Sequence, residues 1–135
     1  MTGRTFDPGS AVGYAWAGDF LERYAAARTR FDGDAFLELF GRDAVLQPHP
    51  FEPPLAGANA IRAYLLQRFA EEADADLTFE RHWVSGATIL AAWHASYVQR
   101  RDGRHTREAG FLTAEMKFGQ VERLRIWTVV NDDRA

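Results

Sequence analysis

Hydrophobic positions recur with a helical period in the first half of the chain and with a period of two in the second. Val12, Trp16, Phe20, Tyr24, Ala27 and Phe31 fall on one stripe, which predicts a helix over residues 10–31 with Ser10 as its N-cap. Gly13 and Gly18 weaken its first half. Phe36, Leu39 and Phe40 predict a short helix over 34–40, and Ile61, Tyr64, Leu65 and Phe69 a third over about 59–72. Between them a strand starts at 43–46. Pro48, Pro50, Pro53 and Pro54 then forbid helix and predict a rigid loop. Residues 1–9 read as a tail, and 10–135 as a single domain.

From Asp76 onward the alternation predicts four strands joined by three turns. A two-residue turn at Asp102-Gly103 would pair Tyr97 with Glu108, Ala95 with Gly110, and Trp93 with Leu112. A three-residue loop at Phe118-Gly119-Gln120 would pair Leu112 with Ile126, Gly110 with Thr128, and Glu115 with Arg123. Another at Ser85-Gly86-Ala87 would pair Phe79 with Trp93, putting His82 opposite Leu90 and His94 opposite Thr78. A bulge near Arg81 would turn His82 to the other face.

These registers give the sheet two different faces. Phe79, Trp93, Ala95, Leu112, Ala114, Leu124 and Ile126 face the helices. His94, Phe111 and Trp127 form a row on the opposite face, which would leave an apolar patch in water. The expectation is a homodimer formed through that face. The fold class is α+β, with three N-terminal helices packed into a curved, mostly antiparallel sheet around a pocket.

Composition narrows the chemistry. With 47% hydrophobic and 13% aromatic residues in 135, the chain can build a core without staples. It has no Cys, which removes disulfides, thiol nucleophiles and Cys-based zinc sites and fits a cytoplasmic location. A net charge of −3 argues against nucleic acid as a partner, and no apolar run is long enough to predict a membrane span. The His spacing offers no metal motif, no phosphate loop or nucleotide fingerprint occurs, and no cofactor is expected.

Polar residues on the inner face are the candidates for function. Glu108 beside Tyr97, and Thr128 beside Gly110, interrupt the apolar pattern, and a strand glycine leaves room for something to approach. A carboxylate there acts as acid or base if it is desolvated, and merely fringes the cavity if it is wet. The pocket would be lined by Trp16, Phe20, Tyr24, Phe36, Trp93, Tyr97, Glu108 and Thr128, with His49 at the rim. His49 is a second candidate base, since a histidine can take up a proton around neutral pH, on a loop where histidines are commonly exposed.

The stretch over residues 20–64, FLERYAAARTRFDGDAFLELFGRDAVLQPHPFEPPLAGANAIRAY, resembles the opening half of a cone-shaped α+β family. That family includes nuclear transport factor 2, the ketosteroid isomerases and the SnoaL-like polyketide cyclases. The resemblance implies a cystatin-like α+β roll with a pocket for a small hydrophobic or aromatic molecule, such as a carbonyl compound. It places Tyr24 where the isomerases have a tyrosine that donates to the developing enolate oxygen. It also places Pro48 where they have their general base, and Thr128 after Trp127 where the cyclases have an acid-base aspartate. Both bases are therefore replaced. Three function classes remain open: a small-molecule binder; a cofactor-independent isomerase, cyclase or lyase using Glu108 or His49 with Tyr24; and a dimerisation module with a vestigial pocket.

Overall fold

The computed structural model describes residues 11–132. The expected tail over 1–9 and the expected cap Ser10 lie outside the described residues, as does the side chain of Val12. The first helix, α1 (Ala11–Thr29), turns Ala17, Phe20, Leu21, Tyr24 and Ala27 inward. Trp16, expected on this stripe, is 36% exposed, because Ala17 and Leu21 take the centre of the buried face and leave it to one side. Two residues past the end of α1, Phe31 has a left-handed φ of 55°, and the Asp32 N–H returns to the Ala27 carbonyl at 2.9 Å. Asp32 then caps α2 (Gly33–Glu38) by accepting from the Ala35 N–H at 3.1 Å.

β1 (Phe40–Gln47) begins where the second helix was expected to end. After the proline loop, β2 (Leu55–Ala56) pairs back on it antiparallel. α3 (Ala58–Glu71) buries Ile61 and Leu65 and passes without a connecting loop into β3 (Glu72–Ser85). β4 (Thr88–Gln99), β5 (His105–Lys117) and β6 (Gln120–Asp132) complete an antiparallel meander. The sheet order is β2-β1-β6-β5-β4-β3, with β1 and β6 parallel, so the sheet is mixed, curved and unclosed. Its concave face packs on the helices around Phe20, Phe36, Leu46, Ile61, Leu65, Ile89, Leu112 and Leu124.

The β5–β6 register agrees with the expectation at Leu112–Ile126, Gly110–Thr128 and Glu115–Arg123. The turn itself is tighter: Phe118 and Gly119, with φ of 53° and 77°, form it alone, and a bulge after Glu115 absorbs the difference. β3–β4 holds Phe79 opposite Trp93 as expected. A bulge between Phe79 and Arg81 then pairs His82 with Ala91 instead of Leu90, which turns His82 toward α1.

The β4–β5 register is two residues off the expected one. Trp93 lies opposite Gly110, Ala95 opposite Glu108, and Tyr97 opposite Thr106. The hairpin is closed by Gln99 and Arg104, with the Gln99 N–H on the Arg104 carbonyl at 2.8 Å, so Asp102-Gly103 sits inside a longer loop. Because the slip is even, every side chain stays on its expected face. Trp83, Phe111 and Trp127 share the outer face, and the Trp83 and Phe111 rings are 6.1 Å apart. His94 is opposite Ala109, two pairs along from the Phe111–Trp127 pair, so it does not complete the expected row, and its Nδ1 is 2.8 Å from Glu80 Oε1.

Candidate functional site

The space between α1, α3 and the concave sheet closes to a cavity of about 70 Å3. One side is aromatic. Tyr24 packs against Phe36 and Phe79, with ring centroids 5.1 and 5.7 Å away, and Trp93 lies next to Phe79 across the β3–β4 pair. Leu46, Leu65, Leu112 and Ile126 supply aliphatic surface. Gly110 lets the indole of Trp93 lie on bare backbone. A Cβ there would be 2.9 Å from Trp93 Cζ2 and would run into the carbonyl oxygen of Trp127.

The other end is ionic. Tyr64, Arg68 and Glu72 stand one helical turn apart along α3 and into the first residue of β3, so they share a face. Glu72 is only 2% exposed. Its carboxylate takes the Arg68 guanidinium at 2.6 Å from Nη2 and 2.7 Å from Nε, and Arg28 Nη2 of α1 at 3.5 Å. The backbone carbonyl of Glu72 accepts from Arg100 Nε at 2.7 Å. Arg68 also reaches Glu108, with Nη2 3.5 Å from Oε1, and sits over the ring of Tyr97. Tyr97 donates its hydroxyl to Glu108 Oε2 at 3.1 Å. Glu108 is therefore a buried carboxylate with both oxygens engaged, held between a cation and a phenol.

Burial pushes the Tyr24 hydroxyl up to about 12 and raises Tyr64 as well. Burial raises Tyr97 too, and the neighbouring Glu108 charge adds to it. Burial alone would lower Arg68, but Tyr64, Glu72, Glu108 and Tyr97 together outweigh it and hold the guanidinium charged. All three phenols are thus hydrogen-bond donors at neutral pH. Among the described residues no group of His, Asp and Glu is arranged to hold a metal ion.

The SnoaL-like domain model matches residues 21–124. The chain belongs to the SnoaL-like family. No protein of curated function matches its sequence. Solved structures share the fold at low identity. SalBIII, described as an epoxide hydrolase/cyclase-like enzyme in pyran ring formation in the polyether salinomycin, superposes with a TM-score of 0.79 at 13% identity, covering 89% of this chain and 98% of its own. A putative isomerase from Bacillus subtilis gives 0.77 at 19% identity, with 86% and 88% covered. An epoxide hydrolase of the LEH-like type from M. tuberculosis gives 0.72 at 15%, with 85% and 84% covered. At these identities the likeness establishes the SnoaL-like fold.

Of the residues expected around the SnoaL-like pocket, Tyr24, Phe36, Trp93, Tyr97, Glu108 and Thr128 line the cavity. Three do not. Phe20 is buried in the core behind Tyr24, and Trp16 sits at the exposed edge of α1. His49 belongs to the proline loop, where its Nδ1 accepts from the Phe51 N–H at 3.3 Å and its ring faces Phe51. Pro48 reaches the cavity instead. Arg28, Tyr64, Arg68 and Glu72 were not singled out as site residues. The signal was available: along α3 the positions after Ile61, Tyr64 and Leu65 on the buried face are Arg68 and Glu72.

Proposed function

We propose that this SnoaL-like protein binds a small, mainly hydrophobic molecule in the cavity between α1, α3 and the sheet. The observation that carries this reading is the division of the cavity into an aromatic and aliphatic wall and one ionic end whose carboxylates are already paired. Apolar walls with a few fixed polar groups are the usual design of a ligand site. At about 70 Å3 the cavity takes a compact ring or chain, and a larger ligand would extend through its mouth. A panel of compact neutral ketones, ethers and epoxides, screened by ligand-observed NMR, tests it. Binding should be found with wild type and lost in Leu112→Trp, which fills the cavity. No binding across the panel, or equal binding by both proteins, refutes the reading.

A second reading is catalytic: a cofactor-independent isomerase, cyclase or lyase acting on a carbonyl compound. It is favoured by Tyr24 and Glu108 lining the same cavity, and by the cyclase, hydrolase and isomerase descriptions of proteins with this fold. Glu108 would remove a proton next to the carbonyl, and the Tyr24 hydroxyl would donate to the oxygen as it gains charge. It ranks second because both Glu108 oxygens are already engaged, Oε1 by Arg68 and Oε2 by the Tyr97 hydroxyl, so neither is free to face a substrate proton. His49 lies outside the lining and is not the base in this reading. Deuterium exchange into an enolisable ketone, compared for wild type, Glu108→Gln and Tyr24→Phe, decides it. Equal exchange in all three removes the catalytic roles.

The outer face, with Trp83, Phe111 and Trp127 together, supports a homodimer as part of the same reading. A monomeric mass in light scattering at micromolar concentration would rule that out.

A further inference from the structure

Beyond its ionic end the cavity has a neighbour. A recess of about 480 Å3 opens there, lined by Ala70 and Glu71 of α3, Gln99 at the end of β4, and Arg100 and Arg101 of the hairpin loop. Arg68, Glu72 and Tyr97 line both spaces, so these three side chains are the wall between them. Two of the three are fixed. Glu72, 2% exposed, is bonded to Arg68 through two nitrogens and to Arg28, and its backbone carbonyl is held by Arg100. Arg68 is in turn held by Glu72 and Glu108. Tyr97 completes the wall. Its ring centroid lies 5.8 Å from the Arg68 guanidinium carbon, and its hydroxyl reaches Glu108 Oε2 at 3.1 Å, so the ring spans the gap from α3 to β5. The two sides of the ring differ in chemistry. Inside are Leu65, Leu112 and Ile126, and outside are Gln99 and two arginines.

We infer that Tyr97 is a specificity-determining residue: its ring sets how far a ligand extends from the cavity toward the β4–β5 hairpin. With the ring in place the apolar space ends at Arg68 and Glu108. Without it the cavity runs into the recess, and a longer chain continues along Gln99 and the aliphatic stems of Arg68 and Arg100. The barrier is the ring and not the hydroxyl, because a phenylalanine keeps the same surface under Arg68 and loses only the bond to Glu108. The inference rests on the small-molecule-binding reading above and adds a size limit and the side chain that imposes it.

The test titrates 1-butanol, 1-hexanol and 1-octanol into full-length wild type, Tyr97→Phe and Tyr97→Ala, followed by NMR. The methyl signals of Leu65 and Leu112 report the cavity, and the side-chain amide of Gln99 reports the recess. Should Tyr97→Ala not fold, Tyr97→Leu, also shorter than the phenol, takes its place. In wild type and Tyr97→Phe, octanol should move the leucine signals and leave Gln99 in place. In Tyr97→Ala it should move both with one affinity, and its advantage over butanol should exceed that in wild type by about tenfold, as added methylenes find protein surface. An unchanged octanol-to-butanol ratio in Tyr97→Ala overturns the inference while the binding reading survives. Tyr97→Phe behaving like Tyr97→Ala overturns it too, since the hydrogen bond and not the ring would then be the barrier. So does octanol moving Leu112 and Gln99 together in wild type, which would mean that the two spaces already communicate past the ring. If no alcohol perturbs a cavity signal in any of the proteins, the binding reading fails and the inference falls with it.

Discussion

Replacing Glu72 by Gln removes one charge from the centre of the ionic end while keeping size and a carbonyl acceptor. Glu72 is the shared anion of Arg68 and Arg28, and at 2% exposure it has no solvent of its own. Removing one partner of a buried ion pair costs about 3–5 kcal/mol, because the other charge is left without compensation. Here the abandoned guanidiniums retain some solvent, with side-chain exposures of 27% for Arg68 and 18% for Arg28, and Arg68 keeps Glu108. The expected loss for Glu72→Gln is therefore lower, about 2–3 kcal/mol. An internal control is at hand. Asp34 and Arg62 form a pair at 3.2 Å on the surface, and Asp34→Asn should cost less than about 0.5 kcal/mol. Urea unfolding followed by tryptophan fluorescence measures both, and the slope with denaturant should be unchanged between variants. A Glu72→Gln loss no larger than that of Asp34→Asn would show that the cluster is effectively solvated, and the account of the ionic end would be wrong.

Two further outcomes are expected. Because burial raises the folded-state pKa of Tyr24 to about 12 from an unfolded value near 10, its contribution is complete below pH 10 and is lost as pH rises toward 12. The loss attributable to this residue is about 2–3 kcal/mol, and urea midpoints for Tyr24→Phe should fall less steeply than wild type over that window; parallel slopes would refute it. Gly110→Ala should destabilise by more than about 2 kcal/mol, since the new methyl meets the Trp127 backbone as well as the Trp93 ring. A thermal midpoint within a degree of wild type would show that the strand pair yields without cost.

Much of the fold was legible because it depends on period. The stripe of α1, the alternation after Asp76 and the turn glycines fix which face each residue takes. The partner across β4 and β5 was not legible for a related reason. Matching apolar with apolar is satisfied by any even slip, so Trp93 opposite Leu112 and Trp93 opposite Gly110 are equally good patterns. The choice was made by the longer loop between Gln99 and Arg104, whose geometry no alternation encodes. Glu108 and Tyr97 could be placed together because their contact survives the slip as a diagonal one. Arg68 and Glu72 were passed over because charged residues on a helix ordinarily face water, and only packing against Arg28 and Glu108 reveals why these do not.

The parallel pairing of β1 with β6 bears on how the chain acquires its shape. β1 is the first strand made and β6 the last, yet they are neighbours inside the sheet, with Leu46 beside Leu124. Until β6 arrives, β1 has only the two residues of β2 to pair with, and β5 presents an open edge. Helices α1, α2 and α3 can form early, but the concavity they fill exists only after the final strand closes the gap. Folding is thus gated by the C-terminal strand. Shortening β6 should trap a species that has its helices and hairpins, lacks its cavity and self-associates through exposed edges.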